Sequence, residues 1–143
     1  MQIKQLSIFI ENKPGRLADI TEVLAENKID MRAISVADTS DFGILRVIVD
    51  KPDEAVIALK KAGMTVSLSK VLAVQIGDEL GALSKVIRTL SDNCVTIEYV
   101  YAFMSRDKGK AYVIIRADNG EKAAQILVDS GIEIATNEQI ANM

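Results

Sequence analysis

The sequence predicts an α+β fold of two tandem βαββαβ units, each with an antiparallel sheet and its helices on one face. Three observations lead to this prediction. Apolar residues alternate along some segments, as in strands with one buried face. In other segments they recur every three or four residues, as in amphipathic helices. The whole order of segments then occurs a second time along the 143 residues.

The repeat is clearest at Gly15 and Gly81, which lie 66 residues apart (81 − 15). The spacing becomes 68 (131 − 63) in the second helix, where Gly63 corresponds to Gly131. We therefore expect two domains, at 1–70 and 71–143. Pairs at the 66-residue spacing are Leu17 and Leu83, Ile20 and Val86, Leu24 and Leu90, Gly43 and Gly109, and Leu45, Val47 and Val49 with Ala111, Val113 and Ile115.

The periods of the first unit define its elements in order. The predicted elements are a strand from Leu6 to Ile10, a helix over 17–27, strands over 29–37 and 44–49 around a hairpin turn at 38–43, a helix from Pro52 to Gly63, and a strand over 64–68. Right-handed crossovers place the first and third strands at the centre of the sheet. This is the ferredoxin-like arrangement, and residues 71–76 begin its second copy.

Composition excludes several classes of function. The chain has no histidine, which removes the commonest general base and metal ligand. Cys94 is its single cysteine, so we expect no disulfide, no metal site and a small buried apolar role for this residue. A net charge of −3 without a basic cluster argues against nucleic-acid binding. The absence of a signal-peptide pattern and of a long apolar run predicts a cytoplasmic protein with no membrane contact.

Catalytic motifs are also missing from the sequence. The turn at 12–15 is no phosphate-binding loop, and no serine or cysteine has a histidine base available. Asp78 and Glu79 are paired carboxylates in a turn with no sign of desolvation. We therefore expect a protein without catalysis or a cofactor. A small enzyme with this fold is the alternative.

A short motif indicates a family. The segment 11–17, which reads Glu-Asn-Lys-Pro-Gly-Arg-Leu, follows a strand and opens a helix, and residues 27–31 read Asn-Lys-Ile-Asp-Met. This arrangement resembles the ACT domain, the amino-acid-sensing module attached to phosphoglycerate dehydrogenase and aspartokinase. The resemblance covers nearly the whole chain as two domains in tandem, with no catalytic domain attached.

The resemblance implies a ligand site at the interface of two domains. The loop before the first helix of one domain and the second strand of a neighbour form such a site. Asn12 and Asp30 occupy the positions of two asparagines in serine-binding members, and Ile10 replaces a histidine there, which implies an effector other than serine. The candidate ligand-binding residues are Asn12, Lys13, Pro14, Gly15, Arg16, Leu17, Asp30 and Ile34 in the first unit and Asp78, Gly81 and Thr96 in the second.

Residue chemistry supports the same loop independently. Gly15 lets a ligand approach the backbone, and the N–H groups of a helix N-terminus favour a carboxylate. Asn12 offers both a donor and an acceptor, and Asp30 suits an α-ammonium group. The alternative interpretation is that Asn12 and Asp30 are turn formers and that Gly15 is required for packing.

The second unit departs from the motif. Leu80 replaces Pro14, Asp78 replaces Asn12, and Thr96 replaces Asp30. Asp78 would repel a ligand carboxylate. We expect the second unit to be the structural partner of the first rather than an equivalent binding site.

The sheet faces indicate association. If Val100 corresponds to Ile34 and points into the core, an aromatic row lies on the opposite face, and the first unit presents an apolar face in the same place. The residues of these faces are Tyr99, Tyr101, Phe103, Tyr112 and Ile114, and Phe9, Ala33, Ser35, Ile44 and Ile48. Open apolar faces predict packing on each other or a homodimer through sheet faces or edges. A base-stacking platform is the alternative.

Together these observations predict a regulatory protein that binds a free amino acid at a domain interface. The signal would pass through contacts between copies, or with a regulated enzyme or regulator. The alternative is a protein-interaction module without a small-molecule ligand.

Overall fold

The computed structural model describes residues 1–38, 41–103 and 110–143. The elements are β1 (Ile3–Glu11), α1 (Arg16–Glu26), β2 (Met31–Asp38), β3 (Phe42–Val49), α2 (Pro52–Lys61), β4 (Thr65–Ile76), α3 (Ala82–Asp92), β5 (Ile97–Phe103), β6 (Ala111–Ala117), α4 (Gly120–Asp129) and α5 (Asn137–Ala141).

Backbone contacts divide the chain into two compact units. One consists of Lys4–Ser69, and the other of Lys70–Met143 together with Met1–Ile3. The domain bounds that the sequence predicts, 1–70 and 71–143, stay a prediction. The prediction of separate strands over 64–68 and 71–76 was wrong, because β4 runs without interruption from Thr65 to Ile76. Ser69 and Lys70 provide no glycine or proline that would turn the chain.

The first unit confirms the predicted fold class. Its strands lie in the order β2-β3-β1-β4, with β1 and β3 antiparallel at the centre. Leu6 pairs with Val47 in the register of these strands. α1 and α2 both contribute to the core over this sheet, through residues such as Leu24 and Leu59, both fully buried. Truncating either leucine to alanine costs about 2–5 kcal/mol of stability, since the core is closely packed.

The second unit repeats this plan with a shorter final strand. Its strands lie in the order β4-β6-β5, and α3 and α4 contribute Leu90 and Leu127 to its core. The fourth strand is reduced to a bridge between Val74 and Ile134. A capping box at Thr136 then starts α5, a helix that the sequence patterns did not reveal.

The strand registers correct the alignment of the two units. Leu6 and Leu72 lie 66 residues apart (72 − 6), but their cross-strand partners Val47 and Ile115 lie 68 apart (115 − 47). The two extra residues therefore belong to the connection between the second and third strands, not to the second helix. Ala111 is the counterpart of Gly43, so the predicted match of Gly43 with Gly109 was wrong. The predicted match of Leu45, Val47 and Val49 with Ala111, Val113 and Ile115 was wrong for the same reason. Gly109 and residues 39–40 of the hairpin turn lie outside the described residues.

The register confirms which residues share each predicted sheet face. Val100 pairs with the core residue Ile115, and Tyr101 pairs with Ile114 on the opposite face. In each unit some residues of this opposite face are buried, whereas Phe9 and Ile44 of the first unit are 49% and 39% exposed. These buried residues are Ala33, Ile48, Phe103, Tyr112 and Ile114.

Three residues are more exposed than the sequence analysis predicts. Ile34 and Val100 share the core side of the sheet, yet both remain partly exposed because β2 and β5 are outer strands. Cys94 is exposed, which corrects the expectation of a buried apolar residue. Its backbone lies in the left-handed region with a φ of 61°, directly after the C-cap of α3.

Candidate functional site

The loop between β1 and α1 is held by backbone hydrogen bonds, within the loop and to the connection between β2 and β3. The Asn12 N–H donates to the carbonyl oxygen of Asp41 at 3.0 Å, and the Lys13 N–H donates to that of Glu11 at 2.8 Å. The Arg16 N–H donates to the Lys13 carbonyl oxygen at 3.3 Å. These bonds fix the five residues that precede and start the helix, so their polar groups have a defined geometry for a ligand.

Gly15 is required here for its backbone conformation. It forms the N-cap of α1 with a φ of 89°, which side chains of L residues rarely allow. A Cβ at this position would meet no atom within 4 Å. The left-handed turn, and not packing, therefore requires glycine here, and the approach of a ligand to this backbone stays a prediction.

The N-terminus of α1 is suited to an anion. Gly15 has no side chain, and in the described part of the chain no side-chain hydrogen bond caps this helix. The N–H groups of Leu17 and Ala18 belong to the first turn, which has no intrahelical acceptor for them. The positive end of the helix dipole lies at the same place. A carboxylate at this place would accept hydrogen bonds from both N–H groups and would be stabilised by the helix dipole.

Two cations flank this N-terminus. The Lys13 Nζ lies 2.9 Å from Glu11 Oε2, and the Arg16 Nη1 lies 3.8 Å from Asp19 Oδ2. The hydrogen bond from Lys13, its charge and more weakly that of Arg16 lower the pKa of Glu11. Both pairs are exposed to solvent, where such pairs contribute little stability. Exchange of one of these partners for a ligand carboxylate therefore costs little.

Asp30 is already engaged in the structure. Its side chain forms an ion pair with Arg32, a residue that is only 8% exposed. Its backbone is held by Asp50, whose Oδ1 accepts from the Asp30 N–H at 2.9 Å and whose own N–H donates to the Asp30 carbonyl oxygen at 3.1 Å. An α-ammonium group at Asp30 would therefore share this carboxylate with Arg32.

The register places Asn12 and Asp30 at opposite ends of the sheet. Glu11 pairs with Phe42 of β3, whereas Met31 pairs with Val49. Seven residues of strand (49 − 42) correspond to about 24 Å. The first unit therefore does not bring its own Asn12 and Asp30 together. A ligand that contacts both needs Asp30 from another copy.

Exposed apolar side chains lie on α1 and β2 of the first unit. Leu17 is 42% exposed, although it continues the stripe of α1 that buries Ile20 and Leu24. Ile34 lies on the core side of β2, opposite Val47. Val36, two residues further on the same face, was missed by sequence reasoning, although the alternation with Ile34 is the signal that reveals it.

The second unit has the same backbone but different charges. Gly81 caps α3 with a φ of 88°, and the Thr96 N–H donates to Asp118 Oδ1 at 3.1 Å, as Asp30 does to Asp50. Its loop carries Glu79 in place of Lys13, Asp78 in place of the neutral Asn12, and Ala82 in place of Arg16. The two loops therefore share a conformation and have opposite electrostatic preference.

A cleft lies at the end of the first strand in each unit. Its volume is about 380 Å³ in the first unit and about 250 Å³ in the second. The first is lined by Phe9, Ile10, Glu11, Arg16, Ile20, Gly63, Met64 and Thr65, and the second by Gln75, Ile76, Gly77, Glu79, Ala82, Lys85, Val86, Gly131, Ile132 and Glu133. Among the residues that the structure describes, no cluster of acidic or cysteine side chains is arranged to hold a metal ion.

Comparison with family models identifies one family. The family model described as an ACT domain pair matches residues 1–143. A crystal structure of protein BT0572 from Bacteroides thetaiotaomicron is similar over 100% of this chain and 98% of its own, with 39% identity and a TM-score of 0.93. No curated protein matches. No helix in the described ranges is long and apolar enough to cross a membrane.

Two more distant structures share the fold. The regulatory subunit of aspartate kinase from Thermus thermophilus, in ligand-free form, is 21% identical with a TM-score of 0.65, over 89% of this chain and 91% of its own. The corresponding subunit from Thermus flavus is also 21% identical, with a TM-score of 0.60, over 90% of this chain and 92% of its own.

Proposed function

We propose, since the chain belongs to the ACT-domain family as an ACT domain pair, that it is a non-catalytic regulatory protein that binds a free amino acid. The amino acid binds at an interface between ACT domains, and its binding is relayed through contacts between copies or with a regulated partner.

The N-terminus of α1 carries this proposal. Gly15 leaves the first turn without a side-chain cap, and Lys13 and Arg16 add positive charge beside it. An amino-acid carboxylate fits this arrangement, and Asn12 adds a donor and an acceptor for the zwitterion. The second loop presents Asp78 in the matching position, so we assign the binding role to the first unit alone.

A homodimer through the β2 edge completes the site in this proposal. β2 is an outer strand, and exposed strand edges are open to pairing. A twofold axis would pair two β2 edges in antiparallel fashion. That arrangement moves the Asp30 end of one copy toward the Asn12 end of the other. A ligand held by both copies stabilises the dimer, which is how binding would be transmitted.

A thermal-shift screen of the common amino acids at millimolar concentration tests the proposal. A ligand at about 100 times its Kd raises the stability by about 2.7 kcal/mol, which moves the Tm by several degrees. We expect Lys13→Gln combined with Arg16→Gln to reduce this shift. Arg88→Gln is the matched control, because Arg88 forms a similar exposed pair with Asp92 at 3.7 Å in α3. No shift with any amino acid would contradict the proposal.

One observation favours the second candidate, an interaction module without a small-molecule ligand. Phe9 and Phe42 are both exposed and stack with their ring centroids 5.1 Å apart. Exposed aromatic pairs are typical of protein contacts. Under this alternative, sedimentation would show association that no amino acid changes, and Phe9→Ser would weaken it.

A further inference from the structure

We propose that the effector is an amino acid with an aliphatic side chain, and that Ile34 and Val36 determine this preference. The inference rests on the proposed function, because it concerns the side chain of the ligand whose carboxylate α1 receives. It is carried by the apolar groups that both parts of the proposed site leave exposed.

The part of the proposed site that β2 forms is apolar. Ile34 is 38% exposed and Val36 is 47% exposed, although their cross-strand partners Val47 and Leu45 are fully buried. These two side chains therefore lie at the outer margin of the core of the first unit and extend its apolar surface. Exposed adjacent aliphatic groups on an edge strand mark a surface that another molecule covers.

The part of the proposed site beside the loop between β1 and α1 also has apolar side chains, on the same side of the sheet. Leu17 extends the core-facing stripe of α1 and stays exposed beyond it. Ile10, the last apolar residue of β1 before the loop, is packed against the core and only partly buried. The charged and N–H groups of the site thus lie at the helix end, with aliphatic side chains beside them.

This division of polar and apolar groups selects the side chain of the ligand. The carboxylate and ammonium groups have partners at the loop and at Asp30. A hydroxyl, amide or charged group placed against Ile34, Val36 and Leu17 would lose water without gaining a hydrogen bond from them. Alanine and glycine would leave part of this apolar surface without contact. Valine, leucine and isoleucine are the ligands that cover it.

Valine and threonine provide the sharpest comparison, because they have the same shape and differ by a methyl and a hydroxyl group. We expect calorimetric titration of the whole protein to give a Kd for valine about tenfold to a hundredfold lower than for threonine. Ile34→Thr and Val36→Thr should reduce this ratio to severalfold or less. Both changes keep a β-branched residue in the strand, so we expect the fold to persist.

Val128→Thr is the matched control, because Val128 is 44% exposed in α4 and undergoes the same chemical change. It should leave the ratio unaltered. Binding confined to serine, threonine, asparagine or charged amino acids would overturn the aliphatic preference and leave the proposed function intact. Binding of no amino acid would overturn both. If the threonine variants fail to fold, the valine to threonine ratio of the wild type decides alone, and a ratio near one overturns the inference.

Discussion

Gly15 and Gly81 adopt the same left-handed conformation, with φ of 89° and 88°, at the N-caps of α1 and α3. The duplication has kept the turn that starts each helix. It has not kept the charge around that turn. The positions of Lys13 and Arg16 in the first loop are occupied by Glu79 and Ala82 in the second. Backbone conformation and ligand preference are therefore separable by substitution in this protein.

Substitution of alanine for either glycine should destabilise the fold equally. A left-handed φ costs a residue with a Cβ about 1–2 kcal/mol, and neither position has an atom within 4 Å that would add a clash. We expect urea unfolding to show this loss for Gly15→Ala and Gly81→Ala alike. Amino-acid affinity should fall for Gly15→Ala only. A loss above about 4 kcal/mol would indicate a steric role that the structure does not show.

Cys94 and Lys28 should be replaceable by glycine with a gain in stability. Both follow the C-cap of a helix with positive φ, 61° and 57°, where glycine is strongly preferred. Gly63 and Gly131 occupy the same position after α2 and α4. We expect Cys94→Gly to raise the free energy of unfolding by about 0.5–1 kcal/mol. Gly63→Ala should change it in the opposite direction, and a loss for Cys94→Gly would contradict this account.

The pair of Asp30 and Arg32 should contribute to stability as well as to the site. Arg32 is buried, so removal of the Asp30 carboxylate takes a counter-charge from a poorly solvated guanidinium. Because Asp30 is half-exposed, we expect Asp30→Asn to cost about 1–3 kcal/mol. The loss should become smaller in an Arg32→Met background. A double-mutant cycle measures this difference, and additive losses would show that the pair does not interact.

Lys13 should control the titration of Glu11. Its hydrogen bond and charge favour the carboxylate form and lower the pKa of Glu11, so the favourable contact is present above the ordinary pKa and is lost as pH falls through the lowered one. We expect Lys13→Gln to raise the pKa of Glu11, measured by NMR titration of its side chain. Arg16→Gln should raise it less, because Arg16 is the weaker contributor. An unchanged pKa in Lys13→Gln would contradict the observed ion pair.

The fold could be predicted from the sequence because its signals are local. Glycine positions such as Gly15 and Gly63 mark where helices start and end, and the apolar periods mark strands and helices between them. These signals occur twice, so each unit supports the interpretation of the other. The predicted order of strands followed from handedness rules that hold for nearly all such connections.

Other features depend on tertiary structure that local patterns do not contain. A two-residue shift in a strand preserves its alternation, so the sequence could not locate the insertion that makes Ala111 the counterpart of Gly43. Exposure of Ile34 follows from the position of β2 at the sheet edge. The separation of Asn12 from Asp30 follows from the parallel direction of β1 and β2, which both run antiparallel to β3.

Amide NMR of the uniformly labelled protein, titrated with the amino acids one at a time, tests the central claim most directly. The account predicts that at least one amino acid shifts the N–H signals of Leu17 and Ala18 at the start of α1. The signals of Leu83 and Ser84 at the same places in α3 should stay unchanged. Shifts confined to α3, or none with any amino acid, would contradict the assignment of amino-acid binding to the first unit.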